Sequence, residues 1–242
     1  MKFVVIIPSR YASTRFPGKP LVEIQGKSMI RRVYEQASSA KLIDAVYVAT
    51  DDDRIAEHVK DFGGNIIMTA TKHESGTDRL AEAYQSLTEQ YDYIINVQGD
   101  EPFINPKQID NLAQLMIDKK SDLGTMVKVI EDEETLFNPN TPKVILGNSQ
   151  ETLYFSRQTI PFIRGVEKQD WLKHHTFYKH IGMYAYRSDV LMKITQLNIS
   201  SLEKAESLEQ LRWLENGYTI HTITTNFETI GIDTPEDLER LK

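Results

Sequence analysis

Short β-branched and aromatic runs alternate with amphipathic stretches through the first half of the chain, and this alternation most constrains the fold. The runs at 3–7, 45–49, 66–68 and 93–97 have the continuous apolar character of strands buried on both faces of a parallel sheet. Between them, 29–39, 54–62 and 78–87 repeat apolar residues at helical spacing. The expectation is an α/β fold: a doubly wound, mostly parallel sheet with ligands at its carboxyl edge. At 242 residues the chain can bury a core as a single domain spanning 1–242.

From 147 to 187 the texture changes to the aromatic segments LYFSRQTIPFI and YKHIGMYAYR, separated by the Trp-containing stretch GVEKQDWLKHHTF. These read as strands and a long loop that extend the sheet and make a partner contact. A helix is expected over 202–215, closed by Gly217, followed by a strand over 218–223 and a helix from Pro235.

The first strand leads into PSRYASTRFPGK, where Pro8 is expected to end the strand by withholding a backbone donor. Arg10, Arg15 and Lys19 follow within ten residues, at the sheet edge where ligands sit in this architecture. Like charges this close are unfavourable unless an anion joins them, so the loop points to phosphate. It lacks the GxGxxG of a nicotinamide or flavin site, and Gly18 reads as a turn that lets backbone amides approach the ligand. The formal charge of −7 argues against a broad nucleic-acid or anionic-membrane surface. With no cysteine there is no disulfide framework and no thiolate metal site. No signal-peptide pattern precedes 3–7 and no run of about eighteen apolar residues occurs, so a cytoplasmic protein without membrane insertion is expected.

Two acids stand out. Asp100 closes YIINVQGD, on the same edge as the cationic loop, with Gly99 as the turn. In GIDTPEDLERL, Thr234 caps the helix, Pro235 fits its first position and Asp237 completes a capping box, leaving Asp233 free to bind something. Two hard oxygen ligands beside a phosphate site suit Mg²⁺. The triplet Asp51, Asp52, Asp53 contains the Asp-x-Asp of a metal-dependent glycosyltransferase. Thr50 or Asp51 can equally start the following helix, and that reading is favoured.

Taken together, IPSRYASTRFPGKPL, HESGTDRLAEA, NVQGDEP, LYFSRQTIPF, HIGMYAYR, SLEQLRWLENG and GIDTPEDLER resemble the 3-deoxy-manno-octulosonate cytidylyltransferases, the CMP-Kdo synthetases among sugar nucleotidyltransferases. The phrases span nearly the whole chain in family order. The resemblance implies that CTP and Kdo give CMP-Kdo and pyrophosphate for lipopolysaccharide biosynthesis, with Mg²⁺ as cofactor and a homodimer as the assembly. It makes Arg10, Arg15 and Lys19 the triphosphate loop, and Asp100 and Asp233 the metal acids. Lys19, Arg10, Asp100 and Asp233 become the catalytic set.

The resemblance also implies that Ser75, Gly76 and Gln98 contact the nucleotide; local sequence supports only a helix start there, with Thr77 as cap. It implies acceptor roles for Arg157, Arg164, His180, Tyr184, Glu209 and Gln210, and sugar binding and dimerisation for residues 147–200. Arg157 matches the family's arginine for the acceptor carboxylate, a partner it can grip in bidentate fashion. His180 and Tyr184 share one face if HIGMY is a strand. The family commonly has Ala where this chain has Ser9. A different acidic sugar, such as 8-amino-Kdo, is the alternative acceptor, since one or two side chains can read such a difference.

Overall fold

In the computed structural model, which describes residues 1–12, 16–73, 75–228, 231–232 and 234–239, the βαβ repetition is present from the first strand onward. The first half runs β1 (Phe3–Ser9), a small hairpin of β2 (Glu23–Ile24) and β3 (Lys27–Ser28), α1 (Met29–Ser38), β4 (Ala45–Thr50), α2 (Asp53–Asp61), β5 (Ile66–Met68), α3 (Gly76–Gln85) and β6 (Tyr93–Asn96). Next come α4 (Pro106–Lys119), β7 (Leu123–Val129), α5 (Glu133–Phe137), β8 (Lys143–Leu146), β9 (Thr152–Ser156), α6 (Trp171–His174) and β10 (Tyr178–Arg187). The chain closes with α7 (Ser188–Ile194), α8 (Ser201–Glu206), α9 (Gln210–Glu215), β11 (Ile220–Thr224) and α10 (Pro235–Glu239).

The main sheet has the order β11-β7-β10-β6-β1-β4-β5, with β8 and β9 branching from β10. β5, β4, β1 and β6 are mutually parallel, and β11 is parallel to β7. β10 runs antiparallel between β6 and β7. From β1 the chain first winds outward through β4 to β5, then returns to β6 on the other side of β1. The topological switch point therefore lies between β1 and β6, and ligands of open α/β sheets bind outside it.

Both sheet faces are covered, which explains the unbroken apolar strands. Phe3, Val5 and Ile7 face the layer containing α1, α2 and α4, while Val4 and Ile6 face that of α3, α7 and α9. All five are at most 1 % exposed. A third cluster packs Ile24, Met29 and Ile232 with Phe16, Phe103 and Leu238, so the hairpin and α10 close over the carboxyl edge together.

Several boundaries differ from expectation, each for a local reason. β1 continues through Pro8 to Ser9, because pairing with β6 ends at Ile6 while pairing with β4 persists through Ser9. The carbonyl of Pro8 faces Gly99, on the side of β6, where no ladder remains to need its missing donor. α2 is capped by Asp52, whose carboxylate accepts from Arg54 N at 3.0 Å, rather than by Thr50 or Asp51. α3 is capped by Ser75, not Thr77. The helix expected over 202–215 is two helices, broken where Ser207 adopts φ 51°. The strand after it begins at Ile220 rather than at residue 218. Finally, β10 enters the middle of the sheet rather than extending it at an edge.

Candidate active site

The loop after β1 is built around Gly18. It adopts φ 72°, a left-handed conformation that costs glycine little, and its N–H donates to the Tyr11 carbonyl at 2.9 Å. The Tyr11 ring lies against Gly18, where an added Cβ would meet it at 3.2 Å. The Arg54 guanidinium of α2 stacks 3.3 Å from the centre of the same ring. This folds the loop back so that Lys19 starts a 3₁₀ turn, Lys19–Leu21, facing the end of β6.

There Lys19 Nζ donates to Asp100 Oδ2 at 2.8 Å. Gly99 is needed for close approach: a Cβ would stand 3.0 Å from the Pro8 carbonyl oxygen. Pro8, Ser9, Arg10, Lys19, Gly76, Gln98 and Asp100 are among the residues around a cavity of about 540 Å³ at the carboxyl ends of β1 and β6. Thus four residues placed by sequence on two separate segments, Arg10 and Lys19 on one and Gln98 and Asp100 on the other, line one volume at the switch point, and Gly76 joins them. Ser75 sits beside it, its hydroxyl accepting from Asp78 N at 3.0 Å as the α3 cap. Arg15 and Asp233 lie outside the described residues; next to Asp233, Ile232 N donates to the Asp100 carbonyl at 2.9 Å.

Glu101 was not singled out by sequence. Burial, and then the Asp100 charge, push its carboxyl up to about 7. The cavity wall thus carries the Lys19 ammonium paired with the partly exposed Asp100 carboxylate. A hard-oxygen donor beside cationic side chains is a donor set that suits Mg²⁺. Among the described residues no group of three or more acids or histidines forms a self-sufficient metal cage.

The Asp51–Asp53 triplet is employed otherwise. Asp51 Oδ2 accepts from Arg79 Nη2 at 2.9 Å, and Arg79 is completely buried. Asp52 is the cap, and Asp53 sits exposed in the first helical turn. Arg79 also donates to Thr69, so it ties α3 to the carboxyl ends of β4 and β5.

The acceptor candidates are not among the residues lining the cavity and divide into three places. His180, Tyr184, Glu209 and Gln210 gather where β10 meets α9. The register of β10 against β7 shifts between Ile181 and Tyr184, so Gly182 and Met183 form a bulge. His180 and Tyr184 remain on one face, and the bulge draws their ring centres to 5.1 Å. His180 Nε2 meets Thr125 Oγ1 at 3.0 Å, and burial lowers its pKa to about 4, which keeps the imidazole neutral near neutrality.

Tyr184 packs edge-on against Trp213, and its buried hydroxyl has no hydrogen-bond partner among the described residues. Glu209 immediately precedes α9 instead of standing inside one continuous helix over 202–215, and Gln210 is 6 % exposed. Burial raises the Glu209 pKa, against the opposing Thr77 hydrogen bond and Arg212 charge. Gln98 Nε2 donates to the carbonyl of Gly182 at 3.3 Å, linking the cavity to the bulge.

Arg157 lies apart, three of its donors engaged by backbone carbonyls. Nε donates to Glu206 O at 2.6 Å, Nη1 to Pro139 O at 3.2 Å and Nη2 to Ser207 O at 3.3 Å. Three of its five N–H groups are used by protein carbonyls, which leaves one hydrogen on each Nη for a carboxylate. The loop it clasps is held from below by the fully buried Lys143, which donates to Asn138 O and Thr141 O at 2.8 and 2.7 Å. Arg164 is exposed beside a small hydrophobic cluster of Ile130, Leu136, Trp171 and Phe177, and is not among the residues lining the cavity. His174 and His175 are exposed at the end of α6.

A cytidylyltransferase family model matches residues 4–223. The 3-deoxy-manno-octulosonate cytidylyltransferase of Cytophaga hutchinsonii is 62 % identical over 242 residues, covering 100 % of this chain and 96 % of the relative. That of Parabacteroides distasonis is 58 % identical, covering 99 % and 96 %. Among solved structures, a CMP:2-keto-3-deoxy-manno-octonic acid synthetase complexed with CTP superposes with a TM-score of 0.93 at 44 % identity, covering 100 % of this chain and 97 % of that one. The chain belongs to the cytidylyltransferase family, in its 3-deoxy-manno-octulosonate branch.

Proposed function

We propose that this protein transfers CMP from CTP to 3-deoxy-D-manno-octulosonate, giving CMP-Kdo and pyrophosphate. The observation that carries the reading is the convergence of Arg10, Lys19, Gln98 and Asp100 on the switch-point cavity, in a chain whose relatives share this activity along their full length. In the reaction the anomeric hydroxyl oxygen of the sugar bonds to the α-phosphorus, its proton is lost, and the bond from the α-phosphorus to the bridging oxygen breaks as pyrophosphate leaves. Arg10 and Lys19 face the anion and neutralise charge on the departing group. Arg15, from the same loop, joins them.

Asp100 and Asp233 are the side chains that would hold Mg²⁺, which when bound supplies charge neutralisation at the phosphoryl oxygens and a template for orienting the reactants. Ser75, Gly76 and Gln98 border the nucleoside end, the first two at the α3 N-terminus. On the acceptor side, neutral His180 and the buried Tyr184 hydroxyl offer hydrogen bonds to sugar hydroxyls, while Glu209 and Gln210 add acceptors and a donor. Arg157, with a hydrogen left on each Nη, is the cation for the sugar carboxylate, and Arg164 is a second candidate cation.

We further place the enzyme in the cytoplasm, where CTP is made, upstream of lipopolysaccharide assembly. No described helix is long and apolar enough to cross a membrane. A homodimer is the proposed assembly, with the aromatic segment 162–177 as the contact. Phe162 is 71 % exposed there and packs edge-on against Trp171, an arrangement suited to burial against another surface.

The test is pyrophosphate release with each of the four nucleoside triphosphates against Kdo, 8-amino-Kdo and sialic acid, with and without Mg²⁺. Release with CTP and Kdo supports the reading. Absence of pyrophosphate under every pairing sinks it.

A further inference from the structure

We propose that Thr77 is a positioning residue that joins the nucleotide and acceptor subsites through its hydrogen bond to Glu209. This inference rests on the CMP-Kdo synthetase reading and concerns a residue that itself touches neither substrate.

Thr77 is the second residue of α3, directly after the cavity-lining Gly76, and is 4 % exposed. Its hydroxyl is not used as the helix cap, because Ser75 performs that task. Instead Thr77 Oγ1 donates to Glu209 Oε2 at 2.8 Å, across 132 residues of sequence. Glu209 stands where the chain turns into α9, immediately before Gln210. The other Glu209 oxygen faces Arg212, 3.9 Å away. Arg212 is itself fixed by a two-pronged contact with Glu203, at 2.7 and 2.6 Å, and by donation to Leu197 O at 3.1 Å.

This arrangement gives the Glu209 carboxylate one orientation. A free glutamate has three rotatable side-chain bonds; here one oxygen is tied to α3 and the other lies against an immobilised guanidinium. A carboxylate accepts about four hydrogen bonds, so capacity remains for sugar hydroxyls after the Thr77 bond is made. α3 is in turn secured to the sheet by the buried Arg79, through Asp51 and Thr69. The side chain proposed to read the acceptor is therefore oriented by the same helix start that borders the nucleotide.

Steady-state kinetics of the full-length protein with CTP and Kdo test this with Thr77→Val, which keeps the branched shape and removes the donor, and Thr77→Ser, which restores it. A hydrogen bond to a charged group is worth roughly tenfold or more in equilibrium terms. Thr77→Val should raise KM for Kdo about tenfold and change KM for CTP less than about twofold, with Thr77→Ser within about twofold of wild type in both. Combining Thr77→Val with Glu209→Gln should cost little more than Glu209→Gln alone.

A Thr77→Val enzyme with unchanged KM for Kdo overturns the proposal. So does one in which both KM values rise together and the melting temperature falls, which marks a purely structural role. A wild-type protein that releases no pyrophosphate from CTP with Kdo defeats the underlying reading instead, whereas these variant outcomes in an active enzyme defeat the coupling alone.

Discussion

Lys19 and Asp100 are the residues at which sequence reasoning and geometry meet most closely. One was assigned to phosphate and the other to metal, from segments some eighty positions apart, and they form an ion pair on one cavity wall. Lys19→Met is expected to lower kcat/KM for CTP on the order of a hundredfold, as losses of positioned electrostatic groups do. Asp100→Ala should fall by a similar factor, and near-normal Mg²⁺-dependent turnover in that variant would remove Asp100 from the site.

His180 makes a second kind of prediction. Its pKa is about 4 in the native chain against an ordinary 6.5, so the unfolded chain binds the proton that the native one refuses. Stability from this residue is complete above about pH 6.5 and is lost as pH falls towards 4. The loss is at most about 3 kcal/mol, reduced by the ring's partial exposure. His180→Gln should flatten that limb in urea titrations across this range. At this scale, residue types and strand-end positions were legible. What neighbours would do with a side chain was not: nothing in YFSR announces that carbonyls from two distant loops close around Arg157.

At the scale of elements, periodicity found the early strands and helices, and capping chemistry decided the boundaries it misjudged. In ESGTDR both Ser75 and Thr77 are suitable caps, and only the path of the chain into α3 selects Ser75. SLEKAESLEQLRWLE has the spacing of one helix, yet Ser207 turns left-handed and divides it, and its carbonyl is taken by Arg157. That break converts Glu209 from a mid-helix position to a helix start. Lys120, which closes α4 at φ 48°, offers an element-scale test. Lys120→Gly removes the side-chain penalty of the left-handed conformation and should raise the melting temperature by about 1–3 °C without altering turnover. Calorimetry checks the first part and the pyrophosphate assay the second.

For the whole molecule, alternation of strands and helices made the doubly wound half of the sheet legible, because each βαβ unit is local in sequence. The insertion of β10 between β6 and β7 was not legible, since it pairs residues far apart and in the opposite sense. It is also what carries His180 and Tyr184 beside α9, so the cluster proposed to read the sugar was the part least visible from spacing alone. Sedimentation should show a dimer that Phe162→Asp shifts towards monomer, if the aromatic segment is the contact. Chelation with EDTA should abolish pyrophosphate release, with activity restored by added Mg²⁺.

The Lys19–Asp100 ion pair has a consequence for the order in which ligands arrive. A divalent ion approaching alone must compete with an ammonium group already seated on the carboxylate, whereas a triphosphate draws that ammonium to itself and frees the oxygen. The metal is therefore expected to enter as a chelate of the nucleotide. Titration calorimetry should find Mg²⁺ retained far more weakly by the protein alone than by the protein with CTP, and Lys19→Met should narrow that gap.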